Sequence, residues 1–551
     1  LCVDRTVRAP LARSPPNLTP SSNAPPSVGT SEMHFVSAMD SVTGIRAVLG
    51  LHETVCSGAA DGYGRMARIP AMTLLHLGPG LANGLCNFHN ARRAGTPIVS
   101  LVGEMATWHK AADPLLNMDI ESIAGTVSSH VRTCVEGNDL YEAMAEACLV
   151  ARKPRAINGS GISTLIVPHD LSWQKGEGRD RCGSYSLKSS KSSAKHAEEK
   201  EQANEMLQRF VQDCAKALTD PAKKGKVAIY ASGAATIQDD DALLYLGKIA
   251  SKIGAPVYCE NAFARLDRGT GLVNLQRLPY FPDDALETLN RFDTLLVVDA
   301  RRPVANFGYE GGPSQVMTHD EDSIWEIDSA DMDVPSVLRD LCAAVGADSV
   351  TPLVNCGGTF CPPRAPRLPS GRLTADKMCQ VVAALQPQAS IVVDESLTSG
   401  NSYWNLSQGC PPFSHLALTG GAIGCGPPLS VGAAIACPDR QVINLQADGS
   451  GMYSVQALWT QARENLNVIT IVCANRSYQI LKVELAKQQI VPSNGPCARA
   501  LTDIGKPELN WTEIGRGMGV PSTRARTAEE LAEQLEAALA RDGPSLIEAW
   551  L

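Results

Sequence analysis

Short apolar runs alternating with stretches of helical spacing dominate the chain from about residue 29 onward. Residues 71–76 and 97–102 read as buried strands. Between them, Gly78-Pro79-Gly80 reads as a turn and 81–93 as a helix. The runs 227–231, 257–259, 294–298 and 324–327 repeat this arrangement, and 390–394, 442–446, 468–473 and 546–550 form a third set. Strands that are apolar throughout, joined by helices, belong to parallel sheets covered on both faces. The expected fold is α/β, with three doubly wound parallel-sheet domains.

Polar and proline-rich crossings divide these sets. Residues 176–200, rich in Ser and Lys, read as a linker between a domain at 29–175 and one at 201–352. A Pro/Gly-rich linker at 353–372 precedes the last domain, 373–551. Residues 1–28 carry six prolines, three arginines and the single acid Asp4, without periodicity. This segment is expected to be disordered or aberrant, either an organellar transit segment or an altered N-terminus. The compartment stays open between cytoplasm, plastid and mitochondrion.

Composition narrows the partners. The 551 residues are 44% hydrophobic and 19% charged, an ordinary soluble globular balance. Forty-nine basic against 58 acidic side chains, net −9, leave no footprint for nucleic acid. No apolar run approaches the roughly 18 residues of a membrane helix. Seventeen cysteines without a Cys-x-x-Cys pair read as free, mostly buried thiols.

The most informative segment is QVINLQADGSGMYSVQALWTQARENLNVITIVCANRSY, residues 441–478. One buried strand opens into Asp448-Gly449-Ser450, and the next ends at Asn475-Arg476-Ser477. Ligands of open α/β sheets bind at such carboxyl strand ends. Asp448 and Asn475 offer hard oxygens suited to magnesium, and the backbone N–H groups of Gly449 and Ser450 suit an anion.

Asp448-Gly449, then 25 residues, then Asn475 resembles the signature of thiamine diphosphate-dependent 2-oxo acid enzymes, Gly-Asp-Gly followed at similar spacing by Asn-Asn. Ala447 and Ala474 depart from it without removing a ligand. The resemblance implies a metal on Asp448, Asn475 and the Ser477 carbonyl, with Gly449 and Ser450 on the diphosphate. In the same way, TGGAIG at 419–424 is similar to the loop beneath the cofactor's central bend. It places Ile423 under that bend and the Gly421 carbonyl on the 4′-amino group. Ser396 and Thr398 are further diphosphate candidates.

Glu53, seven residues, then Asp61-Gly62-Tyr63-Gly64-Arg65 resembles the family's activating glutamate and the motif after it. Glu53 would bond ring N1′ and promote the imino tautomer; apolar surroundings suit such a carboxyl. Asp61, Tyr63 and Arg65 are read as structural. Gly78-Pro79-Gly80 with Asn83 resembles acetolactate synthases, whereas His76, 23 residues after Glu53, resembles the active-site histidine of benzoylformate decarboxylases. Weaker substrate-pocket candidates are Thr30, His109, Ile480, Leu481 and Glu484.

The implied layout is a pyrimidine-binding first domain, a central domain and a diphosphate-binding third domain. The implied minimal unit is a homodimer, or a homotetramer built from it, acting on a small 2-oxo acid. Acetolactate synthase-like decarboxylation and carboligation is the leading reading. Simple decarboxylation of the benzoylformate type is the alternative, although that branch's second histidine has no counterpart in Ala305-Asn306-Phe307-Gly308-Tyr309. FAD stays open as a further cofactor, but the central block has no flavin-binding signature. A third reading is a cofactor-fold protein that binds or regulates without turnover.

Overall fold

The computed structural model describes residues 2–4, 32–41, 45–152, 161–174, 194–237, 241–354, 358–490 and 495–551. Three sheets organise them, of six, five and seven strands. In the first, the order is Arg46–Val48, Cys2–Asp4, Ala71–Leu75, Ile98–Glu104, Ile162–Pro168, His130–Thr133. Its last four strands are parallel, and Cys2–Asp4 pairs antiparallel with both its neighbours. That tripeptide comes from the leader expected to lie outside the fold.

The second sheet is parallel throughout, in the order Leu275–Arg277, Val257–Cys259, Val227–Ala231, Thr294–Val298, Ile324–Ile327. The helix Ala194–Thr219 leads into it and begins inside the 176–200 stretch read as a linker. The third sheet runs Ser522–Ala525, Ser545–Trp550, Val468–Ala474, Val442–Ala447, Ile391–Glu395, Phe413–Ala417, Arg265–Arg268. Its last strand belongs in sequence to the central block, yet pairs antiparallel with Phe413–Ala417. Arg-Leu-Asp-Arg is too polar to read as a strand. It is nevertheless buried, because Arg265 and Asp267 bond each other at 3.1–3.2 Å and Arg268 is stacked on Trp404.

Gly78-Pro79-Gly80, read as a turn, lies in the first turn of a longer helix, Leu77–Ala94; Leu77 adopts φ +55° at its start. The helix Glu53–Ala67 is buried from Thr54 to Met66 because its small residues admit a second helix, Gly426–Ala436, at backbone contact. A Cβ on Gly62 would stand 2.0 Å from the Leu429 carbonyl oxygen, and one on Gly432 1.8 Å from that of Ala59. One apolar core therefore runs from Val55, Ala59 and Phe88 into Leu429, Ile391 and Val442. First and third segments are fused through it. Among the described residues, no helix is long and apolar enough to cross a membrane.

Candidate active site

Strands Val442–Ala447 and Val468–Ala474 are parallel neighbours with Ala447 opposite Cys473, so the residues that follow them emerge side by side. Asp448 is buried, and its two oxygens accept N–H bonds from Gly449 at 2.9 Å and Arg476 at 2.6 Å. Arg476, at φ +57°, makes the turn that aims those amides. The next N–H, from Ser477, donates to Asn475 Oδ1 at 2.9 Å, and Asn475 Nδ2 donates to Ser399 Oγ at 3.3 Å. Burial pushes the Asp448 carboxyl above its usual range, although the two amides oppose this. A buried carboxylate held only by backbone amides beside an amide oxygen is a donor set that fits magnesium.

The turn itself is tightly specified. A side chain at Gly449 would meet the Tyr478 ring at 2.5 Å. The Ser450 hydroxyl is held within the turn, donating to the Ala447 carbonyl at 3.2 Å and accepting from Gln446 at 2.8 Å. Its contribution to an anion is thus its backbone N–H. Ser396 is occupied as well: its N–H and hydroxyl both donate to Asp394 Oδ1. Thr398, two residues on, is half-buried.

The loop that carries Gly421 and Ile423 hangs on Glu395, a residue the sequence reading missed. Its carboxylate accepts from Gly424 N at 2.6 Å, Gly426 N at 2.7 Å and Gln446 Nε2 at 3.1 Å. An acid closing an apolar strand ahead of a glycine-rich loop was the available signal. From the first segment, Asn90 exchanges hydrogen bonds with Ala422 at 2.8 and 3.2 Å, while the ring of His89 meets the Gly420 carbonyl at 3.1 Å. Arg65, paired with Asp61 at 2.5 Å, reaches Thr419 at 3.1 Å. Ile423 is half-exposed, so this apolar side chain is displayed and not packed into the core; Gly421 is exposed at φ +77°.

Glu53 opens its helix, half-buried, with Oε2 accepting from Asn83 Nδ2 at 3.1 Å. A Cβ on Gly80 would lie 3.4 Å from Glu53 Oε1 and 3.5 Å from His76 Cβ, so glutamate and histidine flank one glycine. His76 Nδ1 meets Glu32 Oε2 at 2.8 Å; the acid is 8% exposed and the imidazole 38%. A carboxylate on one ring nitrogen fixes the tautomer and orients the other. Glu32 was not among the expected site residues.

Other candidates divide. His109 rests beside exposed Trp108, with ring centroids 5.4 Å apart. Next to it, Lys110 binds buried Glu104 at 2.7 Å, a pair the sequence reading passed over. The helix Gln479–Lys487 has no buried residue, so Ile480 and Leu481 do not belong to the core. Glu484 accepts from Tyr280 at 3.2 Å and from Tyr309 at 3.2 and 3.3 Å, both from the central block. Thr30 lies outside the described residues. The fold thus gathers Asp448, Asn475 and Ser477, and separately Glu53 with His76. Among the described residues, no hydrogen bond or ion pair joins the two groups.

Comparison with known proteins gives a match for the segment on either side of the central block. Residues 26–123 match the model of the thiamine pyrophosphate enzyme N-terminal TPP binding domain, and 400–549 that of the C-terminal TPP binding domain. The chain is 41% identical over 534 residues to the putative acetolactate synthase large subunit IlvX of Mycobacterium tuberculosis, covering 94% of each. It is 25% identical over 545 residues to benzoylformate decarboxylase of Pseudomonas aeruginosa, again covering 94% of each. A solved structure, the thiamine diphosphate-dependent 4-hydroxybenzoylformate decarboxylase of Rhodococcus jostii RHA1, shares the fold with TM-score 0.77 at 23% identity, over 95% of this chain and 94% of that one.

Proposed function

The chain belongs to the family of thiamine pyrophosphate enzymes, and on that premise we propose that it is a magnesium-dependent, acetolactate synthase-like enzyme. It would decarboxylate a 2-oxo acid and join the remaining fragment to a second carbonyl compound. The observation that carries the reading is the pairing of buried Asp448 with Asn475 through the amides of Arg476 and Ser477.

Each residue has a stated task. Asp448, Asn475 and the Ser477 carbonyl would hold Mg²⁺, and the Ser450 amide, with Thr398, would face the diphosphate, while the Gly449 amide expected there is already given to Asp448. Ile423 would support the bend, and the Gly421 carbonyl would accept from the 4′-amino group. Glu53 would share a proton with ring N1′, its second oxygen steadied by Asn83. Bound thiamine diphosphate supplies the electron sink that lets carbon dioxide leave. Glu53 and Asp448 would meet across a homodimer interface.

A specific observation favours a second reading, simple decarboxylation. The His76–Glu32 pair is arranged to deliver a proton, the step that releases an aldehyde. Turnover of pyruvate, benzoylformate and branched 2-oxo acids with thiamine diphosphate and Mg²⁺ separates the two. Acetolactate or a related ketol is the expected product, and an aldehyde alone favours the alternative. Cofactor retention with no carbon dioxide from any of these acids would contradict both and favour a binding protein.

A further inference from the structure

A buried chain of polar contacts runs from the central block to Asn475. Arg268 lies over the Trp404 ring at 3.6 Å and donates to the Trp404 carbonyl at 2.7 Å, Ser407 Oγ at 3.2 Å and His415 Nδ1 at 3.2 Å. A guanidinium only donates, so Nδ1 must be the accepting nitrogen and the imidazole proton sits on Nε2. That nitrogen faces Asp394 Oδ2 at 3.6 Å. Asp394 takes both donors of Ser396, the first residue of the turn that continues as Leu397–Gly400. Ser399 N closes that turn on the Ser396 carbonyl at 3.1 Å. Ser399 Oγ then receives the amide of Asn475.

We infer that His415 is a positioning residue for the cation: with Arg268 and Asp394 it fixes the 396–400 turn, which sets the orientation of the Asn475 amide. The inference rests on Asn475 being a ligand. An asparagine must present oxygen to a cation, and the Ser399 contact holds its nitrogen on the opposite side. Burial depresses His415 to about 4, so it stays neutral and its tautomer stays fixed. Burial works against ionisation of Asp394, but the His415 imidazole facing it at 3.6 Å, a polar contact longer than a hydrogen bond, and the bonds from Ser396 bring its carboxyl below the usual range. The aromatic shell of Phe263, Tyr403, Trp404 and Phe413, with centroids 5.0–6.3 Å from one another or from the imidazole, gives His415 no freedom to turn.

The test is titration of the cofactor-free full chain with Mn²⁺ in the presence of thiamine diphosphate, read by calorimetry. His415→Phe keeps the ring and removes both nitrogens; the expected result is about 10-fold weaker cation binding. At saturating cofactor, KM for the 2-oxo acid should not move. His415→Gln, which restores an N–H toward Asp394, should recover most of the affinity. Ser399→Ala breaks the far end of the chain without touching the aromatic shell, and it should weaken binding in the same direction if His415→Phe does not fold. Wild-type binding with unchanged affinity in every folded variant overturns the inference and leaves the proposed function standing. Failure of the wild type itself to bind Mn²⁺ overturns the ligand assignment and the inference together.

Discussion

The Asp448 turn and the Glu53 patch are finished to different degrees. Around Asp448, each carboxylate oxygen accepts one backbone amide, the Asn475 amide nitrogen meets Ser399, and Glu395 carries the neighbouring loop. Around Glu53, one oxygen meets Asn83, and His76 leans on Glu32 while still 38% exposed. A site that must bind a divalent cation gains from rigid, prearranged ligands. A carboxyl that must exchange a proton with an incoming ring needs an open side. The difference teaches that the Asp448 half is prearranged by bonds within its own chain, whereas the Glu53 half is held by fewer of them, which is what the proposed homodimer site would require.

The sharpest way to break this comparison is Glu53→Gln. Removing the proton-sharing group should lower kcat about 10²–10⁴-fold, the usual contribution of such a carboxyl. Magnesium-dependent cofactor retention should stay intact, because the Asp448 turn has no bond to Glu53. Measuring kcat beside cofactor affinity checks both, and a parallel loss of affinity would mean the halves are not independent.

The seam that fuses the halves comes next. Gly432→Val would drive a side chain into the Ala59 carbonyl, where backbone has no rotamer with which to yield. About 3 kcal/mol of stability should be lost, at the top of the range for overpacking. A shifted urea midpoint at unchanged slope would register it, and a neutral result would mean the helices are not at backbone contact.

How much of this was legible in the chain follows from how local each signal is. Strands such as 227–231 and 294–298 could be read because every residue in them but Thr294 is apolar. Asp448, Asn475 and Ser477 could be read because a short spacing fixes them on adjacent strand ends. Arg265–Arg268 could not, since Arg265 is neutralised by Asp267 within the strand and Arg268 is bonded by the remote Trp404 carbonyl, neither of which an apolar pattern reveals. Glu395 and Glu32 were missed for a related reason: their roles lie in bonds to Gly424, Gly426 and His76, all remote in sequence. Ser396 was read as a ligand because nothing in the sequence reveals that Asp394 occupies both its donors.

A smaller effect sharpens the contrast through pH. Burial raises the Asp448 carboxyl in the folded protein, so the unfolded chain ionises first, near pH 3.9. Below that value the group adds its full stabilisation. As pH rises from there through the raised folded value, stability is lost, and a bound cation offsets the loss. Asp448→Asn should therefore raise the Tm of the cofactor-free protein at neutral pH and leave it unchanged at pH 3. Thermal melts at the two pH values decide it. Equal shifts at both would assign the gain to packing.

Mixing Glu53→Gln with Asp448→Ala tests the central claim most directly. If each cofactor is gripped by Glu53 of one chain and Asp448 of another, a hybrid dimer of these two inactive variants contains one site with both residues native. Co-expressed and purified as the hybrid, the pair should regain up to half the wild-type kcat per dimer. Hybrids that stay as inactive as their parents, with both variants folded and exchanging subunits, would contradict it.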